Sequence, residues 1–266
     1  MPTLADVVAL LHSWYPPDTA DSFDAVGLVA GDPSAEVARV MFAVDPTVEV
    51  AREAVEWGAD LLVVHHPLFL TPVSSVAATT PKGRTLHTLT SGGCALLTAH
   101  TNADQAASGV SEALALALGM RDLGPIRPAS EGTSTGTGRR GTIDETSLAQ
   151  FAAHVAEVLP ATAHGVRVAG DPDRPVRRVA VCGGSGDFLL DELAADDVDV
   201  FLTSDLRHHR AGEFVEQDGP ALVDVAHWAA EWTWLPVVEG KLLDALGDTV
   251  STRVSTRCTD PWQFRA

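Results

Sequence analysis

The sequence predicts an α/β fold in two lobes with a mainly parallel sheet, on three observations. Strand-length apolar runs alternate with amphipathic helical stretches through about residue 120, the pattern of βαβ units. The run Leu61-Leu62-Val63-Val64 is apolar without alternation, as a strand buried on both faces of a parallel sheet should be. A Gly/Thr/Ser-rich stretch, residues 131–141, then interrupts the pattern before strands and helices resume.

Each element has its own local chemistry. Residues 3–14 read as a helix, capped by Thr3 with Asp6 and closed by Pro16-Pro17, with Leu4, Val7, Val8, Leu11 and Trp14 on one face. A short strand between glycine-marked turns follows within residues 23–33. Residues 40–44 make a strand, and Asp45-Pro46-Thr47 opens a helix that runs to Trp57 before Gly58. After Leu61–Val64, residues 85–90 are expected to be helical, 94–99 a strand ending at His100, and 111–118 a helix stopped by Gly119. Residues 131–141 cannot bury a core and read as an exposed loop or hairpin tip. Beyond it come a helix over 146–159, strands over 176–181, 198–202 and 221–225, and a helical pattern over 227–246 that Pro236 should break or kink. Residues 250–257 suggest a last strand. The lobes are placed at 1–125 and 126–220, with 221–266 a C-terminal segment packing back on the first.

Composition bounds the function. The formal net charge of -18 argues against a general nucleic-acid or anionic-membrane surface, though a local basic patch could still hold a phosphate. Cys94, Cys182 and Cys258 are odd in number and far apart, which supports neither a disulfide framework nor a thiolate zinc site. No basic leader opens the chain, and no apolar run approaches the roughly 18 residues of a membrane span. A reducing, cytoplasmic compartment is expected.

Four polar clusters sit just past the carboxyl ends of predicted strands, where α/β folds place their chemistry. They are His65-His66, His100-Thr101-Asn102-Ala103-Asp104, Asp205 with His208-His209, and His227-Trp228-Ala229-Ala230-Glu231. Singly, each has an ordinary explanation: a packed strand end, a capped loop, a solvated first turn, a surface i,i+4 pair. Jointly they offer imidazole nitrogens and carboxylate oxygens, the donors that first-row divalent ions such as Zn, Mn, Fe, Co or Ni prefer. Five ligands drawn from them, three histidines, one aspartate and one glutamate, exceed the needs of one tetrahedral ion and would suffice for two, about 3.5–4 Å apart. Gly183-Gly184-Ser185-Gly186 suits either a phosphate-binding turn or a plain tight turn, and Arg207 and Arg210 either meet an anionic substrate or are solvated.

These residues also resemble a known family. The carrying stretches are Phe23-Asp24-Ala25-Val26-Gly27-Leu28, Asp45-Pro46-Thr47, Leu62-Val63-Val64-His65-His66-Pro67-Leu68, Ala99-His100-Thr101-Asn102-Ala103-Asp104, Thr203-Ser204-Asp205-Leu206 and His227-Trp228-Ala229-Ala230-Glu231. The sequence resembles the Nif-three-like dinuclear-metal family, also known as GTP cyclohydrolase 1 type 2 homologues. The resemblance implies a two-lobe Nif-three-like fold with the metal site between the lobes and a toroidal homohexamer. It implies that His65, His66, Asp104, His227 and Glu231 hold two divalent metal ions per subunit. It departs from the family at Ser204 and Ala226, where glycines are usual.

The expected function is that of a metal-dependent hydrolase in which a metal-held hydroxide attacks a nucleotide or related phosphorylated small molecule. His100, Asp205 and His209 are candidates for orienting ligands or moving protons. A non-catalytic metal-binding or partner-binding assembly is the alternative, and nucleic acid is not an expected partner.

Overall fold

The first helix begins where its capping chemistry places it. In a computed structural model of the chain, which describes residues 1–217 and 219–266, α1 spans Leu4–Trp14. The Thr3 hydroxyl accepts from the Asp6 N–H at 3.2 Å, and the Asp6 carboxylate accepts from the Thr3 N–H at 2.9 Å. There follow β1 (Gly27–Ala30), β2 (Arg39–Ala43), α2 (Val48–Trp57), β3 (Leu61–Val64), α3 (Pro81–Ser91), β4 (Ala95–Thr98) and the short α4 (Thr101–Gln105). The middle of the chain forms α5 (Val110–Ala117), β5 (Arg121–Gly124), β6 (Arg127–Pro128), β7 (Gly136–Thr137), β8 (Arg139–Ser147), α6 (Leu148–Val158) and β9 (Val166–Ala169). It continues with β10 (Pro175–Ser185), α7 (Leu190–Leu193), β11 (Val200–Ser204), α8 (His208–Val215), β12 (Ala221–Val225) and α9 (His227–Trp232). Last come α10 (Trp234–Leu246) and β13 (Ser251–Val254).

These elements form two units, Met1–Ala106 with Leu235–Thr259, and Ala107–Trp234 with Asp260–Ala266. The first holds a five-stranded sheet in the order β1-β4-β3-β2-β13. All pairs in it are parallel except β1–β4. Every residue of β3 and β4 is buried, which is why both read as unbroken apolar runs. Val64 lies opposite Thr98 in the register, so the segments that follow β3 and β4 leave the sheet side by side. Met41, Val50, Ala54, Leu62, Leu89 and Leu96 belong to the core on one side of this sheet.

The second unit holds a six-stranded sheet in the order β5-β8-β10-β11-β12-β9. β10, β11 and β12 run parallel at its centre, flanked by antiparallel neighbours. Phe201, Leu189, Leu193 and Phe214 are among its core residues. The fold is therefore α/β, with parallel strands at the heart of both sheets.

Several boundaries differ from the sequence reading. The division falls at Ala106–Ala107 rather than near residue 126, because α5 packs on the second sheet: the Ser111 hydroxyl accepts from the Gly183 N–H at 3.2 Å. β12 and α9 also belong to the second unit, and only Leu235–Thr259 returns to the first, where β13 pairs with β2. The Gly/Thr/Ser-rich stretch does form a hairpin tip, closing the antiparallel β6–β7 pair, but that hairpin lies within the second unit and marks no boundary. Immediately beyond it Arg139 is fully buried, donating to the carbonyls of Gly136 and Gly138 at 2.8 Å each and to Glu112 at 3.2 Å. That satisfaction is what allows a guanidinium inside. The helical break comes at Thr233, ahead of Pro236, which sits in the first turn of α10 where its missing N–H costs nothing. No helix among the described residues is long and apolar enough to cross a membrane.

Candidate metal centre

β3 delivers two histidines by ending abruptly. The His65 N–H still donates to Ala43 O at 3.2 Å and Val44 O at 3.1 Å, but the chain has already bent, and Pro67 supplies no further donor. The alternation that would send adjacent side chains to opposite faces is thereby lost. The two rings lie 5.0 Å apart between centroids, and His100, two residues beyond β4, lies 5.1 Å from His65 and 5.5 Å from His66. One ring nitrogen from each falls within 4.8 Å of the others, a group able to hold a metal ion.

Each of these imidazoles is oriented from its Nδ1 side. The His65 Nδ1–H donates to Ala99 O at 2.9 Å, inside a fully buried environment. His66 Nδ1 pairs with Asp45 Oδ1 at 2.7 Å, while the other Asp45 oxygen accepts from the Thr259 hydroxyl. His100 Nδ1 pairs with Asp24 Oδ1 at 2.9 Å, and Asp24 Oδ2 accepts from the Thr101 hydroxyl at 2.6 Å and the Thr101 N–H at 3.0 Å. An oxygen acceptor at Nδ1 places the ring proton there and reserves Nε2 as a lone-pair donor, the arrangement that metal-ligating histidines adopt. Asp104 is presented by α4, with Oδ1 at 3.6 Å from His65 Nε2. That is too long for a hydrogen bond and matches two donors each about 2 Å from a shared ion.

Electrostatics favours the ligating forms. Burial, with the neighbouring His65 and His66 adding to it, pushes the His100 pKa down despite Asp24, keeping the ring neutral. Burial opposes charge on Asp24, but hydrogen bonds from Thr101 and His100 outweigh it and hold the carboxyl below its ordinary range.

The second unit presents its donors from a helix start. His227 and Glu231 stand one turn apart on α9, with Nε2 and Oε1 at 2.8 Å and Glu231 almost fully buried. His227 Nδ1 pairs with Asp205 Oδ2 at 2.6 Å. Asp205 follows β11 in the left-handed region at φ 58, a conformation Asp tolerates better than most residues. The His227 hydrogen bond depresses its pKa against the opposing effects of burial and Glu231. At the end of β10, Gly184 has φ +70, and a Cβ there would meet Glu231 Oε1 at 2.5 Å and His227 Nε2 at 3.1 Å. Only glycine leaves clearance beside both donor atoms. The glycine loop thus serves the His–Glu pair, in place of the phosphate turn or simple tight turn that the sequence allowed.

All five predicted ligands lie at the carboxyl ends of strands or in the helices that follow them: His65, His66 and Asp104 in the first unit, His227 and Glu231 in the second. The donors fit a divalent ion, since every ligand histidine is anchored at Nδ1. Of the three supporting candidates, His100 joins the imidazole group and Asp205 orients His227. His209 is exposed on α8, its ring 5.2 Å from that of His208, and touches none of the ligands within its unit. Arg207 and Arg210 are bound by Asp187 and Asp191, not left for a substrate. Asp24 and Asp45, the anchors of His100 and His66, were not among the predicted site residues, although both lie in stretches that carry the family resemblance.

Comparison with known proteins places the chain among relatives. The family model for Duf34/NIF3 (NGG1p interacting factor 3) matches residues 2–261. A Streptomyces coelicolor protein named GTP cyclohydrolase 1 type 2 homolog is 49% identical over 271 residues, covering 98% of this chain and 94% of its own. A Mycobacterium tuberculosis protein of the same name is 35% identical over 368 residues, covering 98% of this chain and 97% of its own. Among solved structures, a Staphylococcus aureus hypothetical protein superposes with a TM-score of 0.89 at 28% identity, covering 99% of each chain. A Bacillus cereus protein related to NIF3 reaches 0.90 at 24% identity, also over 99% of each, which speaks to the fold. The chain belongs to the Duf34/NIF3 family.

Proposed function

We propose that this protein binds two divalent first-row ions through His65, His66, Asp104, His227 and Glu231, and that it is a metal-dependent hydrolase of a nucleotide or related phosphorylated small molecule. The observation that carries the metal reading is the anchoring of His65, His66, His100 and His227 through Nδ1 to an oxygen acceptor. Structural and surface histidines have no need of so uniform an arrangement. The number of donors, three histidines and two carboxylates, supports two ions rather than one. Glu231 would contribute its carboxylate oxygens to the ions. When bound, the ions would supply an acidified water and positive charge against the negative charge that develops in hydrolysis.

Asp24, Asp45 and Asp205 fix the ring orientation of His100, His66 and His227 through Nδ1 and turn Nε2 toward a ligand. His100, its ring 5.1 Å from that of His65 and 5.5 Å from that of His66, is the candidate for moving protons. The relatives' name, GTP cyclohydrolase 1 type 2 homolog, makes GTP the first substrate to try. A homohexamer is proposed with this reading, on the family resemblance.

The deciding experiment loads the protein with Zn, Mn, Fe, Co or Ni, measures metal by elemental analysis, and follows product release from GTP and other nucleotides. Two ions per chain with turnover that His65→Ala abolishes is the expected result. Two ions without turnover of any nucleotide would replace the hydrolase with a non-catalytic metal-binding assembly.

A further inference from the structure

Beside His66 the first unit carries a cavity of about 440 Å³ that the metal reading does not use. Asp45, Thr47, Glu49, Lys82 and Arg84 line it together with His66. Its basic side chains were not legible as a site, because the sequence reading started the helix at residue 85. In the structure α3 begins at Pro81, with the Thr80 hydroxyl accepting from the Gly83 N–H at 3.0 Å, so Lys82 and Arg84 occupy its first turn. Gly83 between them is buried, and a Cβ there would sit 1.9 Å from Ala77 O, so this turn is pinned against the preceding loop.

Charge makes the cavity unusual. The chain holds 36 acidic and 18 basic side chains, and most of its arginines are taken up by carboxylates or carbonyls. Lys82 makes no ion pair or hydrogen bond among the described residues, and Arg84 makes only a long contact of 3.5 Å to Thr79 O. Of the two carboxylates on the wall, Asp45 already accepts from His66 and Thr259, one on each oxygen. Two cations thus stand without carboxylate partners next to a metal-ligating histidine. The first turns of α2 and α3 line the same space and add potential of the same sign.

We infer that this cavity is the phosphate subsite of the enzyme, with Lys82 and Arg84 holding a phosphate of the substrate while the group to be hydrolysed lies toward His66. The inference rests on the metal-dependent reading above and deepens it, by assigning a place in the first unit to the phosphate of that substrate. Lys82 and Arg84 are binding residues, and their contribution is charge-assisted hydrogen bonding to phosphate oxygens.

Pyrophosphate binding to metal-loaded protein, followed by calorimetry with metal content measured on the same samples, tests this. Lys82→Ala/Arg84→Ala is expected to weaken binding about tenfold or more at unchanged metal content. Lys82→Arg/Arg84→Lys should stay within about threefold of the parent, since both charges remain. Equal pyrophosphate affinity in the parent and the double alanine variant overturns the subsite, as does a parent that binds no pyrophosphate at millimolar concentration. Absence of metal from the parent overturns the dinuclear reading instead, and the same pair of proteins without metal then still decides the subsite.

Discussion

The two units build their donors by different means. In the first, imidazoles hang from the ends of parallel strands, and Asp24, Asp45 and Ala99 orient them from other points of the same unit. In the second, helix spacing places His227 and Glu231 together, and the ends of β10 and β11 contribute Gly184 and Asp205. The first donor set is mostly neutral: His65, His66 and His100 with the single carboxylate of Asp104. The second centres on a carboxylate that is 2% exposed. A buried carboxylate demands compensating positive charge, whereas buried neutral imidazoles do not. The second unit is therefore the one whose own stability calls more strongly for the ion.

Removing a ligand from each unit sharpens that contrast and has the largest expected effect. Glu231→Gln keeps the shape and deletes the charge, and should lower metal affinity by about a hundredfold or more, measured by chelator competition. In metal-free protein the same change should leave the melting temperature unchanged or raise it, because a buried charge is gone. His65→Ala should also lose metal, but it opens a cavity in a fully buried site and lowers the melting temperature with or without metal. A Glu231→Gln protein that keeps full metal loading would break the comparison.

Next in size is Gly184→Ala. It combines a left-handed backbone with a methyl pressed against Glu231 and His227, and should cost about 1–3 kcal/mol of stability together with metal affinity. Gly119→Ala is its control. Gly119 has φ +74 with nothing within 4 Å of the added Cβ, so it should cost backbone strain alone and leave metal loading intact. Smaller again are the anchors: Asp45→Asn and Asp205→Asn should each weaken metal binding by about 10–100-fold. Asp45→Asn should also lower metal-free stability, since Asp45 ties down Thr259 as well as His66.

The sequence made some of this legible and hid the rest for identifiable reasons. Fully buried parallel strands announce themselves as apolar runs, so β2, β3, β4, β11 and β12 could be read, and so could the polar residues at their ends. β8 could not: Arg139-Arg140-Gly141-Thr142-Ile143-Asp144-Glu145 has no apolar period, and the strand is held by pairing with β10 and β5. The unit boundary was hidden because low complexity marked a hairpin tip within one unit, while the true division at Ala106 has no compositional signal. Asp24 and Asp45 were hidden because an anchor is defined by its distance to a ring, 76 and 21 residues away in sequence.

The smallest expected effect is on acid stability, and it too separates the units. Asp24 and Asp205 both have lowered pKa values, but the Asp24 side chain is fully buried whereas that of Asp205 is 56% exposed. A carboxyl with a depressed folded pKa stabilises the protein above its unfolded pKa of about 3.9, and that contribution fades as pH falls through the folded value. His100 acts in the same direction at higher pH. Its lowered folded pKa lets the unfolded chain take up the proton first, so stability falls once pH drops below about 6.5. Metal-free protein should therefore lose stability in two stages, first below about pH 6.5 and again below about pH 3.9. Asp24→Asn should diminish the second stage and extend the first to lower pH, because Asp24 is what supports charge on His100. Asp205→Asn, better solvated, should change the acid profile less. Urea midpoints measured across this range decide the point: an Asp205→Asn profile that moves more than that of Asp24→Asn would reverse the assignment of the buried carboxylate network to the first unit.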